Sequence, residues 1–439
     1  MSVSNTNRTG DITGKINADP NPIPFGHGCV LISWETNDLA GAEVRVSTSP
    51  GEEKIVSRRR CGQKQIGWLA GSTAYDFRLY AASQPTRPID SVRVRREGIP
   101  HKLATEVMQG KIDIMQVSQF IAAVMPCCLE SGRIREIFPI WQRRGFHVTP
   151  LHFYQPIPDT RTLSETLWDR PSELVGIDMN DAVQLDLLRK HFPKFWDEYE
   201  QFPIEPSEGG GFYLNNGLFD GADALVAYCM VRQFQPRRII EIGGGFSSLI
   251  LGEAAAKNGS SPLICIEPFP TEFLRKEFPG LQSLIEKKVQ EIDLEFFSQL
   301  ESGDILFIDS SHTVKIGGDV NYLFLEVLPR LKPGVIVHVH DIFLPCEYPR
   351  DWVIDEFRFW SEQYLLQAFL SFNSEFEVLI ANRYLAHRYP KDLKAAFSNL
   401  AHRIEEDFKA VGSNLANLKR FFPNRAKWSA GSFWMRRRD

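Results

Sequence analysis

Long apolar runs are missing from this 439-residue chain. None reaches the roughly 18 residues needed to cross a bilayer. The opening stretch, MSVSNTNRTGDITG, is polar and lacks the apolar segment of a secretory leader. Its seven cysteines are Cys29, Cys61, Cys127, Cys128, Cys229, Cys265 and Cys346, with no C-x-x-C pair among them. Odd in number and scattered, they offer neither a zinc framework nor a disulfide scaffold and read as reduced thiols. A basic excess is missing too. Fifty Lys and Arg stand against 55 Asp and Glu, for a net charge of −5. That excludes a global basic field for nucleic acid. Together these absences predict a soluble, cytoplasmic protein with no membrane and no nucleic-acid partner. What is present is ample core material, 43% hydrophobic residues, on a length that suggests two to four domains.

The pattern along the chain predicts four regions. Residues 1–20 are polar and read as a flexible tail. Residues 21–98 carry short alternating segments, CVLISWETN, AEVRVSTS and LAGSTAYDFRLYAAS, separated by turn residues. This spacing predicts a small antiparallel β-sandwich. Residues 99–205 read as a helical linker or lid, with apolar residues at helical spacing in KIDIMQVSQFIAAVMP and AVQLDLLRKHFPKFWDEY. From residue 206 to 439 the period changes. Continuous apolar strands, RRIIEIG, SPLICIEP, DILFIDSS, GVIVHVHDI, FEVLIANR and GSFWMRRR, alternate with helices. This predicts an α/β doubly wound sheet covered on both faces. In the second region, Trp34 and the series Leu69, Gly71, Thr73, Tyr75, Phe77, Leu79 resemble a fibronectin type III or immunoglobulin-like module, with Tyr75 as its tyrosine corner.

Ligands of doubly wound sheets lie at the carboxyl ends of the strands. The first strand ends in Glu241, Gly243, Gly244 and Gly245 and turns directly into the helix FSSLILGEAA. Glycine there lets main chain approach a ligand, while Ser247 and Ser248 cap the helix or bond a carboxylate. The second strand ends at Glu267, 24 residues after Gly243, where an acid accepts the ribose hydroxyls of an adenosine. These features fit a dinucleotide or S-adenosylmethionine. The later strands add Asp309, His312, His340 and Asp341 at or just beyond their ends, with Leu-Lys-Pro-Gly before the fifth strand.

This combination resembles the class I S-adenosylmethionine-dependent methyltransferases, a Rossmann-like family, in the branch with His-Asp after the fifth strand. The resemblance implies that Glu241, Gly243, Gly245 and Ser247 surround the methionine part of the cofactor. It puts Glu267 on the ribose and Gln290 or Glu291, of the third strand's KKVQE, near the adenine. Phe219 belongs to the helix entry closing over the cofactor. Asp309, His312, His340 and Asp341 line the reaction side. His312 is the first expectation for a general base, since imidazole titrates near working pH. His340 is the second, and His338 reads as a core histidine. Catechol-type relatives hold Mg2+ on carboxylates placed like Asp309 and Asp341, although Ile342 stands where those enzymes carry Asn.

The leading expectation is O-methylation of a small-molecule hydroxyl, on a natural product or a sugar. N-methylation, a catalytically inactive cofactor-binding scaffold and a dinucleotide-dependent oxidoreductase remain as alternatives. The oxidoreductase is disfavoured by Ser248, which stands where a third glycine would fall. Self-association or a protein partner is expected to use the N-terminal sandwich.

Overall fold

The computed structural model describes residues 12–23, 29–47, 53–66, 74–95, 109–143, 145–207, 210–259, 261–397 and 431–438. Two compact units divide the chain, Met1–Pro158 and Asp159–Asp439.

Among the described residues of the first unit, seven antiparallel strands form two sheets. One has the order β1 (Gly14–Asp19), β2 (Val30–Thr36), β5 (Cys61–Ile66). The other runs β4 (Lys54–Ser57), β3 (Ala42–Ser47), β6 (Tyr75–Ala81), β7 (Asp90–Val94). Alternation puts one face of each strand inward. Thus Val30, Ile32 and Trp34 of β2 share a core with Val44, Val46, Phe77, Leu79 and Val94. Trp34 keeps its indole N–H satisfied by donating to the Arg59 carbonyl at 2.8 Å. Leu69, Gly71 and Thr73 lie outside the described residues. Tyr75 opens β6 and is buried. Two helices follow, α1 (Ile114–Glu130) and α2 (Ile134–Arg143).

Two of the expected boundaries move. Residues 14–19 are not tail but the edge strand β1, with Ile16 opposite Trp34. The helical segment 99–205 is not one body either. Its described residues up to Pro158 belong to the first unit, while Leu188, Phe192 and Tyr199 are buried in the core of the second.

The second unit is built on a seven-stranded sheet. Its strands are β8 (Ile239–Ile242), β9 (Leu263–Ile266), β10 (Leu281–Ile285), β11 (Ile305–Ile308), β12 (Ile336–Val339), β13 (Phe376–Ala381) and β14 (Phe433–Arg437). The order is β10-β9-β8-β11-β12-β14-β13. All pairings are parallel except those of β14, which runs antiparallel to both β12 and β13. Every residue of β8, β9, β11 and β12 is buried, as a sheet covered on both faces requires. Helix α3 (Gly221–Phe234) is buried over ten consecutive residues, and α4 (Phe246–Asn258) follows β8. Helix α5 (Glu362–Leu370) packs on the opposite face through Leu366 and Leu370. The third strand lies one step earlier than KKVQE suggested. That sequence forms a turn of 3-10 helix at Val289–Glu291 after β10 has ended. Among the described residues no helix is long and apolar enough to cross a membrane.

Candidate active site

The three glycines after β8 serve different ends. Gly243 has φ +83°, and a Cβ there would stand 1.8 Å from the Asp309 carbonyl oxygen. Only glycine fits, because the left-handed backbone and the close approach of the β11 loop coincide. A Cβ on Gly244 would meet Cys265 Sγ at 2.3 Å. Gly245 is the exception. Its φ of −169° is open to any residue, and a Cβ there would meet nothing within 4 Å. The open space at the N-terminus of α4 is a cradle that a side chain would fill.

Two acids border this loop. Glu241 is fully buried, and its Oε2 accepts from the Ser248 hydroxyl at 2.5 Å. The same hydroxyl oxygen accepts the Gly245 N–H at 3.1 Å. Among the described residues Glu241 Oε1 makes no well-formed hydrogen bond, although Ser247 and Cys265 lie beside the carboxylate, and burial pushes the carboxyl up to about 8. Glu267 folds back over the loop, accepting the N–H of Phe269 at 2.7 Å and of Gly244 at 3.3 Å. Burial raises its pKa as well. Ser247 is buried beside Ser248, the serine that bonds Glu241. Gln290 donates to the Gly317 carbonyl at 3.0 Å, across to the loop after β11, while Glu291 is exposed. The buried Phe219 ring lies 4.9 Å from that of His340.

Beyond Gly243 the ends of β11 and β12 bring Asp309, His312, His340 and Asp341 together. His312 Nε2 lies 3.4 Å from Asp309 and 3.5 Å from Asp341. His340 Nδ1 lies 3.3 Å and 3.6 Å from the same two carboxylates. Burial opposes the proton on His312, but Asp309, Glu362 and Asp341 outweigh it and raise the imidazole to about 10. Burial likewise opposes the charge on His340, and Asp341 and Asp309 hold it well above the ordinary value. Asp309 is correspondingly kept low by the two imidazoles against its burial, whereas burial raises Asp341. His312 and Asp341 both carry left-handed backbone, φ +56° and +54°. Non-glycine residues rarely adopt it, and such strain gathers at functional sites. His338 stays apart. It stacks on Phe307 with ring centroids 3.7 Å apart, pairs with the Ser432 hydroxyl at 3.0 Å and is held neutral by burial.

Three contributors were not expected from the sequence. Glu362, at the start of α5, pairs its Oε2 with His312 Nδ1 at 2.9 Å. Asp223, buried in α3, accepts the N–H of Gly431 at 2.8 Å and of Ser432 at 2.7 Å, and faces His340 Nε2 at 3.6 Å. Burial opposes its charge, yet His340 and these donors hold it down at about 2. The third is Trp360, whose ring centroid stands 4.5 Å from that of His312. Trp360 packs edge-on against Trp352, and the Arg358 guanidinium lies over both rings. The Tyr348 and Trp352 loop thus forms an aromatic wall beside His312. A lone acid in the apolar run GADALVAYCM was a legible signal for Asp223.

The donor set does not fit the magnesium ion that the resemblance implies. Mg2+ takes oxygen ligands in octahedral geometry. Here two imidazoles meet both carboxylates, and Ile342 is apolar and buried. Asp319 is taken up by Ser311, whose hydroxyl and N–H it accepts at 2.6 Å and 3.0 Å. Among the described residues, no group of three or more His, Cys, Asp or Glu side chains is arranged to hold a metal ion.

Parts of the chain resemble known proteins. Residues 240–342 match a family model described as a methyltransferase domain. An uncharacterized protein of Archaeoglobus fulgidus is 36% identical over 168 residues, covering 36% of this chain and 75% of its own. Among solved structures, the plantazolicin methyltransferase in complex with SAH aligns at 12% identity and TM-score 0.29, covering 60% of this chain and 99% of its own. An O-methyltransferase from Bacillus cereus in complex with SAH aligns at 15% and 0.25, covering 44% and 82%. Coclaurine N-methyltransferase, bound to N-methylheliamine and SAH, aligns at 13% and 0.26, covering 76% and 99%. Scores this low leave the fold to rest on the strand order itself. The chain belongs to one family with the archaeal protein, and its residues 240–342 match the model of a methyltransferase domain.

Proposed function

We propose that this chain transfers the methyl group of S-adenosylmethionine to a hydroxyl of a small molecule, a natural product or a sugar. The observation that carries the reading is the open cradle at Gly245, bordered by Glu241 and Glu267 and joined through Gly243 to the Asp309–His312 loop. The reversed β14 in the sheet order supports it. The buried Oε1 of Glu241, with no well-formed hydrogen bond, suits the cofactor's ammonium, and Glu267 suits its ribose hydroxyls. When bound, the cofactor supplies an electrophilic methyl on a sulfonium with a good leaving group.

The chain's own residues align and exclude water. Asp309, Asp341, Glu362 and Asp223 outnumber His312 and His340, so anionic acceptors are repelled and neutral hydroxyl compounds are admitted. The Trp360 and Trp352 wall offers rings a face to stack on. His312 takes the acceptor's proton. Because its pKa is raised to about 10, it is protonated at neutral pH. The rate for a hydroxyl acceptor must then climb with pH toward about 10.

That same observation favours a second reading, N-methylation, in which an amine nucleophile needs no base of this kind. Its rate would follow the amine's own pKa. The first unit we read as a fibronectin type III-like sandwich serving self-association or a protein partner, supported by its three-plus-four strands around Trp34. The seven free cysteines suit a reducing cytoplasm.

Calorimetry of the whole chain with S-adenosylmethionine and with NAD tests the cofactor, and methyl-labelled cofactor with hydroxyl and amine panels tests the reaction. Binding of NAD alone would overturn the reading. Cofactor binding with no transfer to any acceptor class would favour the inactive scaffold.

A further inference from the structure

The first turn of α5 ties together the two loops of the reaction side, although no sequence pattern marks it. Ser361 and Glu362 donate their N–H groups to the His312 carbonyl at 2.9 Å and 3.2 Å. The Ser361 hydroxyl accepts the Val314 N–H at 2.9 Å. Gln363 accepts the Phe343 N–H at 3.0 Å through its side chain and donates its own N–H to the Tyr348 hydroxyl at 3.1 Å. The loops after β11 and β12 are therefore both hydrogen-bonded to one helix start. That start is anchored by α5 packing in the sheet's core. Glu362 is fully buried there. It would be an expensive residue to keep in that place without a partner for its charge.

We infer that Glu362 is a positioning residue that fixes the His312 imidazole, with Nδ1 committed to its carboxylate and Nε2 presented to the Asp309–Asp341 side. An imidazole has two nitrogens, and the bond made by one decides which face of the ring the other shows. Nδ1 donates its proton to Glu362 Oε2 at 2.9 Å, so Nδ1 cannot serve as the acceptor. Nε2 is the atom left to exchange a proton with the acceptor hydroxyl. Nε2 must first release its own proton to solvent as the pH rises; the acceptor's O–H bond then breaks, its electron pair stays on oxygen, and the proton passes to the vacated Nε2. The Trp360 ring lies tilted beside that of His312, 4.5 Å between centroids, while Nε2 faces Asp309 and Asp341. The charged groups facing His312 are Asp309 from its own loop, Asp341 from the β12 end and Glu362 from α5, with His340 behind the two aspartates.

This inference rests on the proposed methyl transfer, but its test includes an arm that needs no turnover. Histidine labelled with 15N reports in NMR which ring nitrogen bears the proton. The His312 signals are identified by their loss in His312→Ala. Wild type should show a proton held on Nδ1 and slowed in exchange with water. Glu362→Gln should lose that protection, and the ring should titrate at lower pH. Glu362→Asp keeps the charge but shortens the reach, so it should give an intermediate signature. In turnover, Glu362→Gln should lower the limiting kcat reached at high pH about 10- to 100-fold, leave the KM for S-adenosylmethionine unchanged and move the pH profile down, with partial rescue in Glu362→Asp. An unchanged His312 signature in Glu362→Gln would overturn the inference. So would a wild-type pH profile and kcat in that variant. If only Glu362→Asp folds, a wild-type signature and kcat there would do the same. Absence of cofactor binding in wild type would instead strike the proposed function, leaving the NMR result to decide the positioning on its own.

Discussion

Gly245→Ala separates what the fold needs from what a ligand needs. At this residue φ is −169°, outside the left-handed region that glycine alone favours, and the added methyl meets no atom within 4 Å. The folded state should accept it. A ligand whose main chain touches the Cα would instead meet a methyl group projecting about 1.5 Å into its space. Overpacking of that kind costs about 1–3 kcal/mol. In calorimetry this is a rise in Kd for S-adenosylmethionine of about 5- to 150-fold. Gly243→Ala is the control. Its backbone is left-handed and its Cβ would stand 1.8 Å from the Asp309 carbonyl, so thermal unfolding should show a large loss of stability. The reasoning fails if folded Gly245→Ala binds the cofactor as tightly as wild type.

Glu267→Ala should weaken cofactor binding by about 1.5–3 kcal/mol, as loss of hydrogen bonds to a charged group does, while unfolding changes little; equal affinity by calorimetry would remove Glu267 from the ribose. Chelation should leave transfer intact, because the Asp309 and Asp341 carboxylates are each paired with two imidazoles, a donor set that does not suit magnesium; loss of activity restored by added Mg2+ would refute that. Glu241, raised to about 8 by burial, takes up a proton on folding. It contributes stability below its ordinary carboxyl range that is lost as pH rises to about 8, so Glu241→Gln should stabilise the ligand-free protein at pH 8 by about a few kcal/mol, read as a higher melting temperature, and should weaken cofactor binding; equal melting at pH 8 would argue against the raised value. Residues 159–439 alone should keep wild-type cofactor affinity, since every candidate site residue falls in that unit; a folded fragment that does not bind would implicate the first unit.

The parts of the fold legible in the sequence are those where burial on both faces leaves no alternative. LICI and ILFI are uninterrupted apolar runs, and IIEI and IVHV are broken only by Glu241 and His338, because few polar groups are tolerated at the centre of a covered sheet. The two misplaced strands are both edges. β10 lies at the end of its sheet with only partly buried and exposed residues, so LQSLI carries no stronger signal than the KKVQE beside it. β1 buries Ile16 alone among GKINAD and resembles a polar tail. An edge strand needs one inward side chain and a partner's hydrogen bonds, and the partner is invisible in the strand's own sequence.

The same distinction divides the site. Glu241, Glu267, Asp309, His340 and Asp341 were legible because each stands in or just after an apolar strand, where a polar residue is conspicuous. Glu362 stands 50 residues from His312, at the start of a helix whose own sequence explains it as an ordinary first-turn acid. Its role appears only once the loop 343–361 has folded back, through a left-handed Phe357, to deliver α5 against the β11 loop. His312 is the reverse case. Its position was legible, but its state was not. An isolated imidazole near a strand end is expected to titrate near 6.5 and act as a ready base. Placed among Asp309, Asp341 and Glu362, it holds its proton to about 10. A single strand end specifies which group is present. Three loops converging on it specify whether that group is charged, and therefore whether the acceptor must bring its own nucleophilicity or have it made at the site.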